Sequence, residues 1–563
     1  MVYGTNRSGR RNFGSSVGSS AMSRSTFMLG LAGAGVAAGM MGLSGTAKAQ
    51  EMPPTVVPTD YGYDVYPTYD PSTDLYSVQW AVLFGAMMHP NPTVKLKYVL
   101  ETPFNFNGIN PILSIPGVMI LYPVTVIGDG FDASGNPKTV IEGGGGLVPP
   151  GVLGPNAAPI GAITVFHELS GTIKIHGIWF DEQILIGVGG YIWNTLEVMN
   201  NKITNTISLT LDPYTFGEGQ PFYFNVRMGV AFARILMLPE TPGTLLVENN
   251  IVDNSDKPMN PPNQPEAQSI DVGIVTNYLN DSVAVRNNTV KNLGLALEAN
   301  VNYGPSTILE GNVLTTLQSD FSTAGLWCCF HAGAARVANN NITVRANLPL
   351  PDPDMPFIGS GCMFSNVIGT MEISGNRIYM EPGQLVICGP AIHIGDPGYC
   401  VFAPTAPLQR AVIKNNYIVG MASHAIAALN YGPFKDPVPG IADWRKSSYN
   451  AVVGNNMTKF QPTGNWLFSP PLLPVHVYLG PQTEYNNFKG YFGGSDSIKD
   501  DGSNNFISGY TKTGGAAGGV GYTMSSTMRA KVAARTQAMG MLWNAMANAA
   551  KAIANGLKQQ YGL

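Results

Sequence analysis

Short stretches of alternating apolar and polar residues recur along the chain, separated by Asn-Asn or Gly-Asn pairs. The clearest copy spans residues 246–252, where Asn249-Asn250 separates two apolar-rich stretches. Alternation with a period of two is typical of a β-strand that is buried on one face. Asn and Gly tolerate left-handed backbone angles, so the pair favours a tight corner. The pattern therefore predicts a strand, a corner and a second strand, repeated along the chain.

Eight copies of this corner motif align on the second residue of the pair. The aligned residues are Asn201, Asn250, Asn288, Asn312, Asn341, Asn376, Asn416 and Asn456. In every copy the residue three positions earlier is apolar, and the residue two positions later is apolar or β-branched. We expect these flanking side chains to point into a shared interior. Stacked copies then place Asn above Asn, so that each side-chain amide bonds the next, as in other Asn ladders.

The intervals between aligned residues range from 24 residues (Asn288 to Asn312) to 49 residues (Asn201 to Asn250). The shortest interval suits one coil of three short strands. The longer intervals require inserted loops or a coil without an Asn corner. Five Pro-rich insertions are expected on related sides of the stack, where they would wall a groove or cover one face. They span residues 205–243, 253–281, 345–370, 381–410 and 420–449.

The corner motif distinguishes between several repeat folds. A leucine-rich repeat needs an L-x-x-L-x-L frame, which the chain lacks, and a propeller needs evenly spaced antiparallel hairpins. The corners at Asn249-Asn250, Asn287-Asn288 and Asn415-Asn416 resemble those of right-handed parallel β-helix proteins of the pectin-lyase-like superfamily. The resemblance covers roughly residues 90–510. It implies an all-β solenoid whose open end is capped by an N-terminal helix, here at 74–88, and it is not specific for an activity.

The N-terminus predicts export. Residues 27–43 are uncharged and rich in small and apolar residues, and Ala47-Lys48-Ala49 is a cleavage pattern. We expect a periplasmic, secreted or cell-surface protein that is not embedded in a membrane once processed; a retained membrane anchor is the alternative, and the start is Met1 or Met22. The expected regions are an export signal, an extended segment, the parallel β-helix, a Gly-rich linker and a C-terminal helix, at 1–49, 50–72, 73–510, 511–524 and 525–563.

The C-terminal helix is predicted from apolar residues that recur at intervals of three and four. They include Val532, Met539, Leu542, Met546 and Ile553. This apolar seam either packs on the end of the stack as a cap or forms a contact in a homo-oligomer.

Composition and charge exclude some classes of partner. Charged residues make up 12% of the chain, and the net charge is −4 with no basic block. Phosphate backbones are bound by clustered Lys and Arg, so nucleic acid is not expected as a partner. The hydrophobic content of 44% is sufficient for a large core.

The sequence leaves two roles open for the five cysteines, disulfide bonds or buried small residues. An oxidising compartment would allow Cys388 to pair with Cys400, or cysteines on neighbouring coils to pair. The other reading, which we favour for Cys328-Cys329, is that they are buried small hydrophobic residues. The chain has no zinc-binding spacing of Cys and His, and its methionines are scattered, so no metal site is predicted from these residues.

Candidate catalytic residues follow from the resemblance. Enzymes of the superfamily use acidic residues on the outer face of a sheet, with Lys or Arg as a lyase base or with paired Asp in a hydrolase. Of the polygalacturonase-like motifs, only Asp500-Asp501 is present, without its partners. The remaining candidates are Asp253, Asp271 and Lys291, because Lys291 has the same repeat position as Asp253. Asp253, Asp256, Lys257 and Asp271 belong to one insertion and its exit, and this group is expected to bind Ca²⁺ or a sugar. Ca²⁺ is the one cofactor considered.

Candidate binding residues combine charge with aromatic rings, which suits sugars. They are Asp181 and Glu182 after Trp179, His393 with Asp396, and Trp444 with Arg445. Aromatic residues expected to be exposed among the insertions are Tyr191, Trp193, Phe222, Tyr223 and Trp444. For all of these residues the alternative is a solvated loop or a salt bridge at a coil edge.

The sequence therefore predicts an exported β-helix that presents a loop-walled face to a polysaccharide or surface glycan, without catalysis. The alternative is a polysaccharide lyase or glycoside hydrolase that acts through Asp/Lys or Asp/Asp on the β-helix face.

Overall fold

The structure is a computed structural model. It describes residues 56–70, 75–77, 93–99, 103–106, 117–120, 122–148, 158–166, 171–211, 224–233, 242–256, 268–292, 294–317, 322–331, 333–345, 358–367, 369–382, 389–395, 410–429, 446–465, 472–491 and 496–513. All of them belong to one compact unit, Pro54–Leu563. The export signal, the C-terminal helix, Cys388 and Cys400 lie outside the described residues.

Three large sheets, of 15, 13 and 14 strands, contain most of the described residues. Sheet 1 consists of Val56–Thr59, Gly62–Val65, Thr93–Leu96, Thr125–Gly128, Thr172–His176, Thr195–Met199, Thr244–Glu248, Ser282–Arg286, Ser306–Glu310, Ala334–Ala338, Thr370–Ser374, Ala411–Lys414, Ala451–Val453, Asn487–Lys489 and Phe506–Ser508. Sheet 2 consists of Thr68–Asp70, Leu75–Ser77, Phe104–Asn105, Thr139–Glu142, Ile178–Asp181, Lys202–Thr204, Ile251–Asp253, Thr289–Asn292, Val313–Thr316, Asn341–Val344, Arg377–Met380, Tyr417–Ala422 and Asn456–Pro462.

Sheet 3 contains the longest strands. It consists of Val118–Ile120, Ile163–Phe166, Ile186–Ile192, Leu209–Leu211, Phe224–Ala233, Gln268–Leu279, Leu295–Asn302, Ser322–His331, Ile358–Val367, Ile392–Ile394, Ile426–Ala428, Val477–Leu479, Ser497–Asp500 and Thr511–Lys512. Two small sheets pair Gly146–Val148 with Ala158–Ile160 and Ser447–Ser448 with Thr483–Glu484.

From Thr93–Leu96 to Val477–Leu479, each turn of the chain visits the three sheets in the same order. Thr195–Met199 of sheet 1 is followed by Lys202–Thr204 of sheet 2 and Phe224–Ala233 of sheet 3, and then by the next strand of sheet 1, Thr244–Glu248. From Thr93–Leu96 onward, strands that belong to one sheet in successive turns pair in parallel, with Val198 opposite Val247 as an example. Parallel crossover connections are right-handed, so the chain is a right-handed parallel β-helix, and this prediction is confirmed.

The corner between sheets 1 and 2 has the predicted backbone conformation. The residue before each ladder position has φ between 53° and 68°, in the left-handed region that Asn and Gly tolerate. The ladder residues are buried, and each side-chain amide donates to the next Asn, as Asn250 Nδ2 does to Asn288 Oδ1 at 3.0 Å and Asn288 Nδ2 to Asn312 Oδ1 at 3.0 Å. The amide of Asn250 also donates to the carbonyl of Val198 at 2.8 Å. The predicted Asn ladder is confirmed.

Two positions of the ladder were predicted one residue too late. Asn312 donates to Asn340 rather than to Asn341, and Asn416 donates to Asn455 rather than to Asn456. Residues 339–341 are all Asn, so the pair alone does not define the corner. Burial does, because alignment on Asn340 places Val337 three residues earlier and Ile342 two residues later, and both are fully buried.

The C-terminal turns contain a second ladder, which the eight aligned copies of the motif did not include. Asn450 donates to Asn486 at 2.9 Å, and Asn486 donates to Asn505 at 3.0 Å. These residues lie at the corner that enters sheet 1. The preceding Tyr449 and Tyr485 have φ of 59° and 53°, and their exposed rings stack with 5.6 Å between centroids.

Sheet 3 corrects the predicted insertions. Strands Phe224–Ala233, Gln268–Leu279 and Ile358–Val367 run through segments that were expected to leave the stack. Their described side chains are buried on both faces, so the strands lack the alternation seen in sheets 1 and 2. The connecting loops are therefore shorter than predicted, and each turn between Asn201 and Asn416 has a strand in all three sheets.

The two ends of the repeat also differ from the predicted boundaries. Leu75–Ser77 is a strand that pairs antiparallel with Thr68–Asp70, so a helix does not begin at residue 74. The rest of that predicted helix, 78–88, lies outside the described residues. Thr511–Lys512, the last strand of sheet 3, extends into the predicted linker.

Two further observations concern the described residues alone. No helix among them is long and apolar enough to span a membrane. Cys328, Cys329 and Cys362 are buried and free, which confirms the expectation for the vicinal pair.

Candidate functional face

The outer face of sheet 2 brings several predicted residues into line. Each of its strands leaves the Asn corner, and alternation sends every second side chain outward. Two outward rows result, here called the first and the second row of the sheet-2 face. The first row is Val140, Trp179, Lys202, Ile251, Thr289, Val313, Asn341, Arg377, Tyr417 and Asn456. The second row is Asn105, Glu142, Asp181, Thr204, Asp253, Lys291, Thr315, Thr343, Tyr379, Val419 and Lys459.

Asp181 is held by a chain of hydrogen bonds at the N-terminal end of this face. The indole Nε1 of Trp179 donates to Thr204 Oγ1 at 2.7 Å, and Thr204 Oγ1 donates to Asp181 Oδ1 at 2.6 Å. Asn205 Nδ2 donates to the same oxygen at 2.8 Å. The ammonium of Lys202 lies 3.8 Å from the centre of the Trp179 ring. A carboxylate, an amide and an indole thus form one half-buried group.

Glu142 lies beside this group because it is paired with Asp181 in the neighbouring strand. The sequence analysis did not identify this residue. It is the direct neighbour of Asp181 in the adjacent parallel strand, although 39 positions separate the two residues in the chain. Burial, followed by the charges of Asp181 and Glu182, raises the pKa of the Glu142 carboxyl above its usual range. The only sequence signal is a Glu at the end of the strand 139–142, outside the repeat. A pair of neighbouring carboxyl groups, one of which has a raised pKa, is the type of arrangement that glycoside hydrolysis uses.

Glu142→Gln is expected to stabilise the protein slightly at neutral pH. A raised carboxyl pKa means that the folded state holds the proton more strongly than the unfolded state, so wild-type stability falls as pH rises through the folded pKa. The uncharged amide escapes this loss, and solvent screening limits the gain to about 1 kcal/mol or less. Urea unfolding at pH 7 and at pH 3.5 measures it. A gain that is equally large at both pH values would contradict a charge effect.

Asp253 and Lys291 form an ion pair on the second row. Their side chains are 3.6 Å apart, with exposed fractions of 34% and 42%. Asp253 Oδ1 also accepts from the hydroxyl of Ser255 at 2.6 Å. The structure therefore confirms the common face that the repeat position of Lys291 indicated. An ammonium group has no lone pair with which to abstract a proton. The Asp253–Lys291 pair is therefore better suited to holding a bound ligand in position than to acting as the base of a lyase.

Asp271 lies away from this face, on sheet 3. It is 1% exposed, and its carboxylate accepts from Arg227 Nε at 2.9 Å and Nη2 at 3.1 Å. Gly294 N also donates to it at 3.1 Å. Asp253, Asp271 and Lys291 thus do not form one group. Among the described residues, no group of three or more His, Cys, Asp and Glu could hold a metal ion. Asp271 pairs with Arg227 and does not join Asp253 in a Ca²⁺ site.

Of the other predicted binding residues, His393 is buried, Glu182 is exposed and three lie outside the described residues. His393 is 2% exposed, its Nε2 lies 3.0 Å from the carbonyl of Leu429, and burial lowers its pKa to about 4. Glu182 is exposed, with φ of 59° at the corner after Asp181. Asp396, Trp444 and Arg445 are outside the described residues.

The expectation that Tyr191 and Trp193 are exposed was wrong. They are 1% and 0% exposed, because they lie at the end of the sheet-3 strand Ile186–Ile192 and not in an insertion. The hydroxyl of Tyr191 donates to the carbonyl of Pro159, and Trp193 packs edge-on against Phe232. Phe222 and Tyr223 are outside the described residues.

Sheet 3 also contains a buried acidic residue, Glu298, that the sequence analysis did not identify. Glu298 is 1% exposed, and its Oε1 accepts from the side-chain amides of Asn277 and Asn300, each at 2.8 Å. A single Glu between Leu297 and Ala299 in an apolar strand was the available signal. The buried ionisable residues of the described ranges all lie in sheet-3 strands or within two residues of one: Arg227, Asp271, Asp281, Glu298, His331, His393, His424 and Asp496. Because side chains on both faces of the long sheet-3 strands are buried, this sheet is less accessible to a polymer than the sheet-2 face.

Comparison with known proteins adds little about chemistry. No family model and no curated protein matches the sequence. Among solved structures, the chain is similar to the A-modules of mannuronan C-5 epimerases AlgE6 and AlgE4 of Azotobacter vinelandii. The TM-scores are 0.31 and 0.30 at 11% identity, covering 77% and 79% of this chain and 94% of each module. It is also similar to DFA-IIIase of Arthrobacter chlorophenolicus A6 in complex with GF2, with TM-score 0.34, 11% identity, and 78% and 89% coverage. Similarity at this level identifies no ligand and no reaction for this chain.

Proposed function

We propose that the protein is an exported β-helix that binds polysaccharide along the sheet-2 face without cleaving it. The observation that carries the proposal is the alignment of Asp181, Asp253 and Lys291 in one outward row, with Trp179 beside them in the first row. Charged and amide groups offer hydrogen bonds to sugar hydroxyls, and aromatic rings contact the apolar faces of sugars. A sheet face with a repeating surface suits a repeating ligand.

A second candidate is a glycoside hydrolase, favoured by one observation. Glu142, with its raised pKa, would act as the acid, and the adjacent Asp181 would act as base or nucleophile. This pair replaces the Asp253–Asp271 pair that the sequence indicated.

One experiment tests both functions. The full chain is incubated with a panel of insoluble and gel-embedded polysaccharides, and both binding and release of reducing or unsaturated ends are measured. We expect binding without release, weakened at least tenfold in Trp179→Ala because the indole contact and the support of Thr204 are both lost. Lys414→Ala, which removes a sheet-1 surface pair with Glu372, is the matched control and should bind like wild type.

The outcomes separate the candidates. Release of sugar ends that disappears in Glu142→Gln and Asp181→Asn would replace the binding function by the hydrolase. Failure to bind any polysaccharide, or equal binding by Trp179→Ala and the control, would reject a glycan site on the sheet-2 face.

A further inference from the structure

The charges of the sheet-2 face are nearly balanced and largely engaged by the protein itself. Among its described residues the face has three acidic side chains and four basic ones. They are Glu142, Asp181 and Asp253, and Lys202, Lys291, Arg377 and Lys459. A polymer with a charge on every residue would therefore meet both signs along the face.

Three of the four basic groups already have partners in the protein. Lys202 lies over the Trp179 ring and donates to Asn136 Oδ1 at 3.1 Å. Lys291 is paired with Asp253 at 3.6 Å. The guanidinium of Arg377 lies 5.5 Å from the centre of the Tyr417 ring. Binding of carboxylate groups along a chain would have to compete with each of these contacts.

At the centre of the face the two rows carry no charged residue, and the next charges along these strands are the ion pair of Arg345 and Glu381, 3.5 Å apart. Between Lys291 and Arg377 the outward residues are Thr289, Val313, Thr315, Asn341 and Thr343. Thr289, Val313 and Asn341 are exposed, and the other two are half-buried. Hydroxyl and amide groups can donate and accept hydrogen bonds with sugar hydroxyls, and the methyl groups can contact C–H faces. None of these groups carries a positive charge that would favour a carboxylate or sulfate over a neutral sugar.

The dimensions of the face suit an extended chain. The second row crosses 11 paired strands from Asn105 to Lys459, and parallel neighbours are about 4.8 Å apart, so the row is roughly 48 Å long. That interstrand spacing is close to the length of one sugar residue in an extended chain. Equivalent groups on successive coils can therefore meet successive sugars.

We infer that the ligand of the sheet-2 face is an uncharged, extended polysaccharide that lies along the stack, across the strands. This inference rests on the proposed function and specifies its ligand. Polymers that carry uronates or free amino groups are excluded as preferred ligands because the charges on the face are mixed and engaged, whereas its uncharged centre complements hydroxyl groups and apolar sugar faces.

The test compares three classes of polymer at low and high salt. Neutral glucans, xylan, mannan and chitin are compared with alginate and polygalacturonate, and with chitosan. We expect a neutral polymer to bind at least tenfold more tightly than the charged ones, with little change on adding salt, because screening affects charge pairs and not neutral contacts. The double variant Thr315→Ala/Thr343→Ala should weaken this binding severalfold, with an unfolding midpoint close to that of wild type.

The controls distinguish this inference from the proposed function. Arg336→Ala, on the outer face of sheet 1, should bind like wild type. Preferred, salt-sensitive binding of a uronate or amino-sugar polymer would overturn the uncharged ligand and leave glycan binding intact. Unchanged binding of a neutral polymer by the double Thr variant would overturn its placement across the centre of the face. Lack of binding to every polymer would reject the proposed function as well.

Discussion

Lowering the pH from 7 to 4 is expected to decrease the free energy of unfolding by several kcal/mol. His331, His393 and His424 are at most 2% exposed, and burial lowers the pKa of each to about 4. In the unfolded chain a histidine has a pKa of about 6.5. Between these two values the unfolded state binds more protons than the folded state, so the folded state loses stability as the pH falls.

The size of the effect follows from the difference in pKa. Each unit corresponds to 1.36 kcal/mol, so a difference of about 2.5 units corresponds to about 3 kcal/mol for each buried histidine at pH 4. The contribution is fully present above about pH 6.5 and is lost progressively down to the folded pKa near 4. Urea unfolding at several pH values between 7 and 4 measures it.

A histidine variant separates this effect from the titration of carboxyl groups. Nε2 of His424 lies 3.1 Å from the carbonyl of Leu473, and a glutamine amide can replace that donor. His424→Gln should therefore lose about one third of the histidine contribution to the acid sensitivity. His176→Gln is the matched control, because His176 is only half-buried. Equal pH profiles for wild type and His424→Gln would show that His424 is not neutral and buried in the folded protein.

Arg227→Ala is expected to destabilise the protein by about 3–5 kcal/mol, the usual cost of leaving one member of a buried ion pair without its partner. Arg227 is 0% exposed and bonds Asp271 through two nitrogens, and its Nη2 also donates to the carbonyl of Asn254 at 2.7 Å. The substitution leaves the carboxylate of Asp271 buried without its guanidinium. Thermal and urea unfolding measure the loss.

The control for this prediction is an exposed pair with similar chemistry. Arg336 and Glu310 are 2.9 Å apart on sheet 1, with side chains 46% and 26% exposed, and Arg336→Ala should cost about 1 kcal/mol or less. Replacing both buried partners, as in Arg227→Met/Asp271→Leu, should recover most of the stability, because no unpaired charge remains. A loss in Arg227→Ala no larger than in Arg336→Ala would contradict a buried pair.

The corner was predictable from the sequence because its determinants are local. An Asn or Gly in the left-handed conformation, an apolar residue three before the ladder position and another two after it are readable within seven residues, as at Val247, Asn249, Asn250 and Val252. The same locality explains the two errors of register. Three consecutive Asn residues at 339–341 satisfy the local rule in two ways, and only the burial of Val337 and Ile342 decides between them.

The candidate site was only partly predictable because it depends on register between distant strands. The equivalence of Asp253 and Lys291 was visible, since both are three residues after a ladder Asn. Glu142 lies outside the aligned motif, and nothing near it in the chain indicates Asp181 as its neighbour. Asp271 was predicted to lie in an inserted loop. Strands that are buried on both faces, such as Gln268–Leu279, lack the alternation by which a strand is recognised in a sequence.

The parallel β-helix, its Asn corner and the outward positions of sheet 2 could be predicted from the sequence, because each follows from backbone preferences and periodic burial over a few residues. The course of sheet 3, the identity of neighbouring carboxylates and the burial of Tyr191 and Trp193 required the folded structure. The physical reason is that stacking aligns residues tens of positions apart through hydrogen bonds between coils. The loop lengths that separate those residues in the chain carry no information about that alignment.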